Sequence, residues 1–366
     1  MFTANDRQAA RFAPPTGVPA SARAVLATSL SALTTSAPTA SAPTLANPTI
    51  AAPASAAPGL PVYLQLPVPP PLVAGGLELD PAKDKLGWMR DSADLLTDIP
   101  ALRQRMADDG YLLLRGYLNR DDVLAARREV TQRLAAAGHL APGTDPMLAI
   151  PAPDYSGRLA PDLAKDNPTL DRVLYTGPMM QFFRGFFDKD VRHFDYTWFR
   201  AIGPGKGTPS HCDSVYMNRG TQNLFTAWTP MGDIDLQMGG LMVLEGSNNN
   251  QRLRETYCKT DVDTFCTNRE GKRGQDAWSK TSGALSKNAR QLAHALSARW
   301  LTTEYRAGDV LVFSIFTVHA SLDNRSSQIR LSCDARFQPA DEAADPRWVG
   351  ENPIRHSPAS KRGRIC

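Results

Sequence analysis

The sequence has little cysteine, no long apolar run and no block of basic residues. Only five of its 366 residues are cysteine, and no two of them are spaced as Cys-x-x-Cys. An odd number of cysteines without that spacing argues against a disulfide framework or a structural zinc cluster, and it favours a reducing compartment. No apolar stretch reaches the roughly 20 residues that a membrane-spanning helix needs. We therefore expect an intracellular protein, with the cytoplasm favoured.

Charge of either sign is not in large excess. The chain carries 41 Lys and Arg against 37 Asp and Glu, a formal net charge of +4. Its basic residues are scattered and are not interleaved with aromatics, whereas a nucleic-acid-binding domain concentrates them in one patch. Nucleic acid is therefore not an expected partner. The sequence carries no signal for the oligomeric state.

Acidic residues are absent between Asp6 and Glu78, where Ala, Pro, Ser and Thr dominate. Such a composition cannot bury enough apolar surface to offset the entropy lost on ordering. We predict that residues 1–76 form a disordered, low-complexity segment. Three arginines in its acid-free first part are also compatible with an organelle transit peptide.

Residues 77–345 have the pattern of a globular domain. A helix ending at Gly110, a helix capped by Asn119 and a helix from 168 to 187 are predicted first. Short strands separated by Gly-Pro and Asp-Asn turns follow, which is typical of a sandwich or a small barrel rather than a parallel sheet. The predicted strands are 193–202, 210–217, 224–229, 240–245, 300–305, 310–318 and 329–338.

Two segments stand apart from this strand pattern. Residues 246–299 form a long polar insertion between predicted core strands, and such insertions are usually functional or disordered. We interpret this insertion as a lid, with a solvated loop as the alternative. Residues 346–366 are predicted to be a basic C-terminal tail.

The triplet His211-Cys212-Asp213 lies among residues that favour strands. On a strand, residues two apart point to the same face, so His211 and Asp213 would project together while Cys212 points away. An imidazole and a carboxylate on one face make half of an open metal site. A hydrogen-bonded pair without metal is the alternative for the triplet taken alone.

Two residues further along the chain complete a constellation. His319 follows an apolar strand, and with His211 and Asp213 it makes up the two-histidine, one-carboxylate donor set suited to non-haem Fe(II). Arg330 follows shortly after, flanked by apolar residues, and a guanidinium can bind a carboxylate through two hydrogen bonds. The set predicts a metal centre with an anchor for an acidic co-substrate such as 2-oxoglutarate.

With these residues in place, the sequence resembles the phytanoyl-CoA dioxygenase family of Fe(II)/2-oxoglutarate oxygenases over about residues 100–340. Five motifs in the same order carry the resemblance: DGYLLLRG at 109–116, TPSHCD at 208–213, AWTP at 227–230, GGL at 239–241, and the run from Gly308 through His319 to Arg330.

The resemblance implies an α+β fold that is mostly β, with a double-stranded β-helix (jelly-roll, cupin-like) core and flanking helices. It implies His211, Asp213 and His319 as iron ligands, and Arg330 with Ser321 at the distal carboxylate of 2-oxoglutarate. Trp228 would line that co-substrate pocket. Halogenating relatives lack the carboxylate ligand, so the presence of Asp213 disfavours halogenation.

The resulting hypothesis is a dioxygenase that uses Fe(II), 2-oxoglutarate and O2, with ascorbate as an accessory reductant. It would hydroxylate a C–H bond of a small-molecule or acyl substrate and release succinate and CO2; desaturation or cyclisation stays open. A non-catalytic jelly-roll metal-binding protein is the alternative, and it would bind metal without forming succinate. For the substrate, Lys272, Arg273 and Lys280 could meet the phosphates of a CoA thioester, but a small metabolite, amino acid derivative or lipid fits equally.

Overall fold

The computed structural model describes residues 71–266 and 283–364. Residues 1–70 of the segment predicted to be disordered lie outside the described residues, as do Lys272, Arg273 and Lys280 of the insertion. Residues 71–76 are described, and their strand Val73–Ala74 pairs with Leu77–Glu78. No helix in the described ranges combines the length and apolar character required to cross a bilayer.

The chain forms six α-helices and fourteen strands within the described residues. The helices are α1 Ile99–Asp109, α2 Arg120–Ala136, α3 Pro168–Tyr175, α4 Gly177–Phe187, α5 Gln251–Glu255 and α6 Ala289–Ala295. The strands are β1 Val73–Ala74, β2 Leu77–Glu78, β3 Leu86–Trp88, β4 Tyr111–Leu114, β5 Val191–His193, β6 Trp198–Ile202, β7 Phe225–Pro230, β8 Leu241–Leu244, β9 Thr264–Cys266, β10 Trp300–Thr302, β11 Val310–Ser314, β12 His319–Ser321, β13 Arg330–Pro339 and β14 Arg362–Arg364.

Two sheets make the core, and the chain alternates between them. The larger sheet has the order β4-β11-β7-β13, with both β5 and β6 paired to β13, and the smaller has the order β12-β8-β10-β3. An isolated bridge joins His211 to His319, which adds the segment around His211 to the edge of the smaller sheet. Core segments thus cross from one sheet to the other in the pattern of a double-stranded β-helix, which confirms the predicted fold class.

The two faces of the larger sheet have different partners. Alternate residues of β13, namely Leu331, Cys333, Ala335 and Phe337, pack into one apolar cluster with helices α1 to α4. Its other face meets the smaller sheet in a second cluster that includes Trp228 from β7. Because side chains alternate along a strand, the remaining β13 residues face the space between the sheets.

Several predicted boundaries need correction. The helix predicted over 168–187 is two helices, because Gly177 adopts a left-handed φ of 50° and Pro178 has no amide hydrogen to continue α3. The strand predicted over 310–318 ends at Ser314, and the chain turns before His319 begins a strand of the other sheet. The predicted cap is confirmed: Asn119 accepts a hydrogen bond from the backbone N–H of Asp122 at 3.0 Å.

The C-terminal residues are not a free tail. Arg347 and Trp348 are fully buried, and β14 pairs in parallel with β9 of the insertion. The predicted domain boundary at residue 345 is therefore wrong, because basic composition does not reveal that this segment meets buried carboxylates. The folded unit extends to at least residue 364.

Gly110 ends α1 in a conformation that only glycine adopts at low cost. Its φ is 75°, and a Cβ built there would lie 2.5 Å from Cγ of Asn248, at the start of the insertion. Asn248 is held in place, since its amide donates to the Ala107 carbonyl at 2.9 Å. Gly110 thus ends the helix and gives room for the insertion to pack on it.

We expect Gly110→Ala to destabilise the protein more than Gly138→Ala. Both glycines have φ above 70° after a helix, but nothing lies within 4 Å of a Cβ at Gly138. Each variant incurs the left-handed penalty of about 1–2 kcal/mol, and Gly110→Ala adds an overpacking cost of about 1–3 kcal/mol. Urea unfolding at pH 7 measures the free energy of unfolding of each variant. Equal losses of stability in the two variants would contradict a packing role for Gly110.

Candidate metal centre

Three buried side chains meet between the two sheets. His211 and His319 face each other across two backbone hydrogen bonds, of 3.0 Å and 2.9 Å, and Asp213 follows two residues after His211. Their potential ligand atoms all lie within 4.8 Å of one another. The structure thus brings together the three residues that the sequence predicted as a set.

The local backbone differs from the prediction. Asp213 is the first residue of a 3-10 turn, Asp213–Val215, and not part of a strand over 210–217. The Asp213 carbonyl accepts from the backbone N–H of Tyr216 at 3.0 Å, which closes the turn. Cys212 points away from the centre as expected, and its sulfur lies 3.8 Å from that of Cys258 in the insertion.

The outer hydrogen bonds of both imidazoles orient them toward the centre. Nδ1 of His211 lies 2.8 Å from the Pro209 carbonyl, and Nδ1 of His319 lies 3.0 Å from the Thr317 carbonyl. A carbonyl can only accept, so each Nδ1 carries the proton and each Nε2 presents a lone pair. The two Nε2 atoms lie 3.9 Å and 3.8 Å from Oδ1 of Asp213, too far for hydrogen bonds.

The electrostatics keep this donor set ready for a cation. Burial, together with the neighbouring His319, lowers the pKa of His211 to about 3, and burial also lowers the pKa of His319. Burial raises the pKa of Asp213, but Arg336 and the two imidazoles outweigh it and hold that pKa well below the usual range. Two neutral imidazoles and one carboxylate therefore converge with no proton between them, and a divalent ion fits such a set.

Arg330 lies at the start of β13 on the inner face. Its Nη1 donates to the Gly239 carbonyl, while its Nε has no partner among the described residues. Burial, with a contribution from Arg200, lowers the pKa of Arg330 to about 9, so the guanidinium stays largely protonated at pH 7. A buried cation with an unused donor suits an anionic ligand.

The other two residues predicted at the co-substrate also face the interior. Trp228 is fully buried against Tyr305, with ring centroids 4.6 Å apart, and its Nε1 has no described partner. Ser321 shares the inner face of β12 with His319, and its oxygen accepts from the Thr208 backbone N–H at 2.8 Å. Its hydroxyl hydrogen is thus available to a further acceptor.

Sequence reasoning missed three interior residues. Thr226 and Arg336 both donate to Oδ2 of Asp213, and Ser332 lies two residues after Arg330 with an unpartnered hydroxyl. For Ser332 and Arg336 the signal was the strict alternation of polar and apolar residues along β13. Such alternation normally indicates that the polar residues face solvent. In this structure they face the space between the two sheets instead.

The described parts of the insertion lie against the backbone that carries the centre. Leu285 donates its backbone N–H to the Ser210 carbonyl at 2.8 Å. The Tyr257 hydroxyl accepts from the Cys212 backbone N–H at 3.3 Å and donates to the Gly283 carbonyl. These contacts make the ends of the insertion a support for the metal-ligand turn, and a lid formed by its middle stays a prediction.

A buried ion cluster joins the insertion to the C-terminal segment. Arg347 contacts Asp261 at 3.0 Å, Asp263 at 2.8 Å and Asp345 at 2.6 Å. Arg219, six residues after the triad turn begins, contacts Asp261 at 2.8 Å. The cluster therefore ties three segments of distant sequence together beside the candidate centre.

Comparison with known proteins gives a family for this chain. A family model described as phytanoyl-CoA dioxygenase (PhyH) matches residues 106–332, more than half of the chain. A 1-deoxypentalenic acid 11-beta-hydroxylase from Streptomyces arenae is 27% identical over 271 residues, covering 68% of this chain and 84% of that protein. A protein of the same name from Streptomyces exfoliatus is 25% identical over 278 residues, covering 70% and 87%.

Solved structures resemble the fold at low sequence identity. The non-haem alpha ketoglutarate dependent epimerase SnoN from nogalamycin biosynthesis has a TM-score of 0.47 and 18% identity, covering 70% of this chain and 92% of its own. EctD from S. alaskensis in its apo form has a TM-score of 0.49 and 15% identity, covering 81% and 98%. Both TM-scores are below 0.5, so the family assignment depends on the sequence match.

We expect Asp263→Asn to lower the free energy of unfolding at pH 7 by about 3 kcal/mol, because it weakens the pairing of a buried guanidinium. Burial raises the pKa of Asp263, but Lys361, His356 and Arg347 outweigh it and hold that pKa well below its ordinary value. A depressed pKa contributes stability above the unfolded value of about 3.9, and this contribution is lost as the pH falls below it. The difference in free energy of unfolding between variant and wild type should therefore hold from pH 7 to about pH 4 and begin to narrow at pH 3.5.

The matched control is Asp341→Asn, which removes an exposed carboxylate 2.8 Å from Lys189. Urea unfolding should give this variant the wild-type free energy of unfolding at both pH values, because the ion pair that it removes is exposed to solvent. If Asp263→Asn changed the free energy of unfolding as little as the control does, the ion cluster would not be a stabilising unit.

Proposed function

This chain belongs to the phytanoyl-CoA dioxygenase family, and on that premise we propose that its buried triad and Arg330 are the sites for iron and 2-oxoglutarate. The protein is a non-haem Fe(II)- and 2-oxoglutarate-dependent dioxygenase, an oxidoreductase that hydroxylates a C–H bond and releases succinate and CO2. Family membership favours this activity over a non-catalytic metal-binding protein. The single observation that carries the site proposal is the convergence of three unprotonated ligand atoms at a buried point.

His211, Asp213 and His319 would hold the iron through the two Nε2 atoms and Oδ1. Iron bound there supplies the capacity to activate dioxygen and oxidise an unactivated C–H bond. The Pro209 and Thr317 carbonyls keep both imidazoles in the tautomer that exposes Nε2. Phe313 packs against His319 at 4.4 Å between ring centroids and restricts that ring from turning.

The interior of β13 and β7 would receive the co-substrate. Arg330 offers an unused Nε donor, and Ser332 and Trp228 offer two more that have no described partner. A 2-oxoglutarate molecule has two carboxylates, and its distal one would satisfy these buried donors. The complementarity between unsatisfied donors and an acidic ligand supports this placement.

For the prime substrate, the named relatives favour a small organic acid. Both are hydroxylases of 1-deoxypentalenic acid by name. An acyl-CoA thioester, as in the family name, is the second candidate, but the three basic residues proposed for its phosphates lie outside the described residues. A screen of small carboxylic acids therefore comes first, with acyl-CoA thioesters as the comparison set.

We expect purified protein with Fe(II), ascorbate and 2-oxoglutarate under air to form succinate slowly, and faster once a substrate is found. Asp213→Ala should abolish succinate formation and retention of one metal ion per chain, because two imidazoles alone hold iron weakly. The control is His294→Ala, since His294 lies in α6 and pairs with Asp80 outside the centre. Full metal content and activity in Asp213→Ala would refute the triad.

We expect Arg330→Ala to raise the KM for 2-oxoglutarate by about 100-fold, in line with the roughly 2–5 kcal/mol cost of removing one partner of a buried charge pair. Metal content should not change, because Arg330 contacts none of the three candidate ligands. Arg325→Ala is the matched control, an exposed arginine in the preceding turn. If the KM for 2-oxoglutarate were unchanged in Arg330→Ala, the co-substrate would not bind at Arg330.

A further inference from the structure

The two oxygens of Asp213 have different surroundings. Oδ1 faces the Nε2 atoms of both histidines. Oδ2 accepts two hydrogen bonds, one from the Thr226 hydroxyl at 2.5 Å and one from Nη2 of Arg336 at 3.0 Å. Only one oxygen of the carboxylate is therefore directed at the place a metal would take.

The two donors to Oδ2 come from one row of the larger sheet. Thr226 on β7 and Arg336 on β13 are direct cross-strand partners. Both lie on the face turned away from the helices, and both are fully buried. Their position relative to each other is set by strand register, so the pair presents two donors at a defined separation.

Arg336 is held on its other sides as well. Its guanidinium lies 4.0 Å from the centroid of the Trp198 ring, and its Nη1 lies 3.7 Å from the carboxylate of Asp334. Asp334 in turn binds Nε of Arg200 at 2.7 Å. Four charges thus alternate in sign from Asp213 to Arg200, and the guanidinium of Arg336 has little freedom to turn away from Asp213.

This arrangement limits how Asp213 can bind a metal. A free carboxylate can offer one oxygen or both. With Oδ2 occupied by two donors, Asp213 offers one oxygen, and the triad would supply three ligand atoms to a bound iron. Such a donor set would leave positions open for the co-substrate.

We propose that Thr226 and Arg336 are positioning residues that keep Asp213 bound through one oxygen and thereby preserve the coordination position that 2-oxoglutarate would otherwise lose. This inference rests on the proposed function of the triad. If the inference is right, the register between β7 and β13 directly affects how tightly 2-oxoglutarate binds. A purely structural role for the two residues would leave the coordination of the metal unchanged.

The test uses Co(II), which binds such sites without reacting with the keto acid. Wild type and the variants Thr226→Val and Arg336→Met are loaded with Co(II), and 2-oxoglutarate binding is measured by calorimetry and by visible absorption. We expect both variants to bind Co(II) but to bind 2-oxoglutarate about 10- to 100-fold more weakly, a loss of the size that removing an outer-shell partner causes in metal affinity or activity. The cobalt absorption should change before 2-oxoglutarate is added, because a second carboxylate oxygen would take a position that solvent otherwise occupies.

Thr226→Val is nearly isosteric, so it keeps the test valid if Arg336→Met fails to fold. Thr226→Ser should restore both the spectrum and the affinity, because it restores the hydroxyl. Arg127→Met is the matched control, since it removes a buried arginine of α2 that donates to the Met147 and Met231 carbonyls and lies outside the charge row of Asp213. Its 2-oxoglutarate affinity should stay within a few-fold of wild type.

Three results would overturn the inference: a wild-type spectrum and affinity in Thr226→Val, no recovery in Thr226→Ser, or an equal loss of 2-oxoglutarate affinity in Arg127→Met. Failure of the proposed function would look different. In that case wild-type protein would not bind one Co(II) per chain, or Asp213→Ala would bind Co(II) and 2-oxoglutarate as wild type does.

Discussion

The candidate centre depends on the pair of backbone hydrogen bonds between His211 and His319. These bonds join two segments more than 100 residues apart and bring the two Nε2 atoms to the same side of the smaller sheet's edge. The tight turn after Cys212 then returns Asp213 toward them. Because each bond is made by the backbone, the meeting of the three side chains depends on the pairing of these two segments.

The space between the sheets is unusual for a protein core because one wall of it is charged. The inner face of β13 carries Arg330, Ser332, Asp334 and Arg336 in succession, all fully or nearly fully buried. Buried charges are costly unless they are paired, and the chain Asp213–Arg336–Asp334–Arg200 pairs four of them. Arg330 is the cation left without an acidic partner in this row, which is the feature that suits an acidic co-substrate.

Support for the centre comes from outside the two sheets. The insertion after β8 contacts the backbone on both sides of the triad turn, and the C-terminal segment holds the insertion through Arg347 and its three carboxylates. Segments outside the two core sheets thus hold the ligand turn in place. The C-terminal segment also approaches the centre directly, since Trp348 packs on Trp198, the ring that carries the guanidinium of Arg336.

The chemistry of the site and the fold class follow from the sequence alone. His211, Asp213, His319 and Arg330 were predicted as a set, because few donor combinations suit iron and few side chains bind a carboxylate through two hydrogen bonds. Sequence alone did not reveal Thr226 and Arg336. Alternation along a strand shows that its two faces differ, but it does not show which face meets solvent. In β13 the apolar face packs on helices α1 to α4, so the polar face lies between the sheets. Nor did the sequence predict the buried cluster around Arg347, whose hydrogen-bond partners lie up to 129 residues away, because only tertiary packing decides which distant polar groups are buried together.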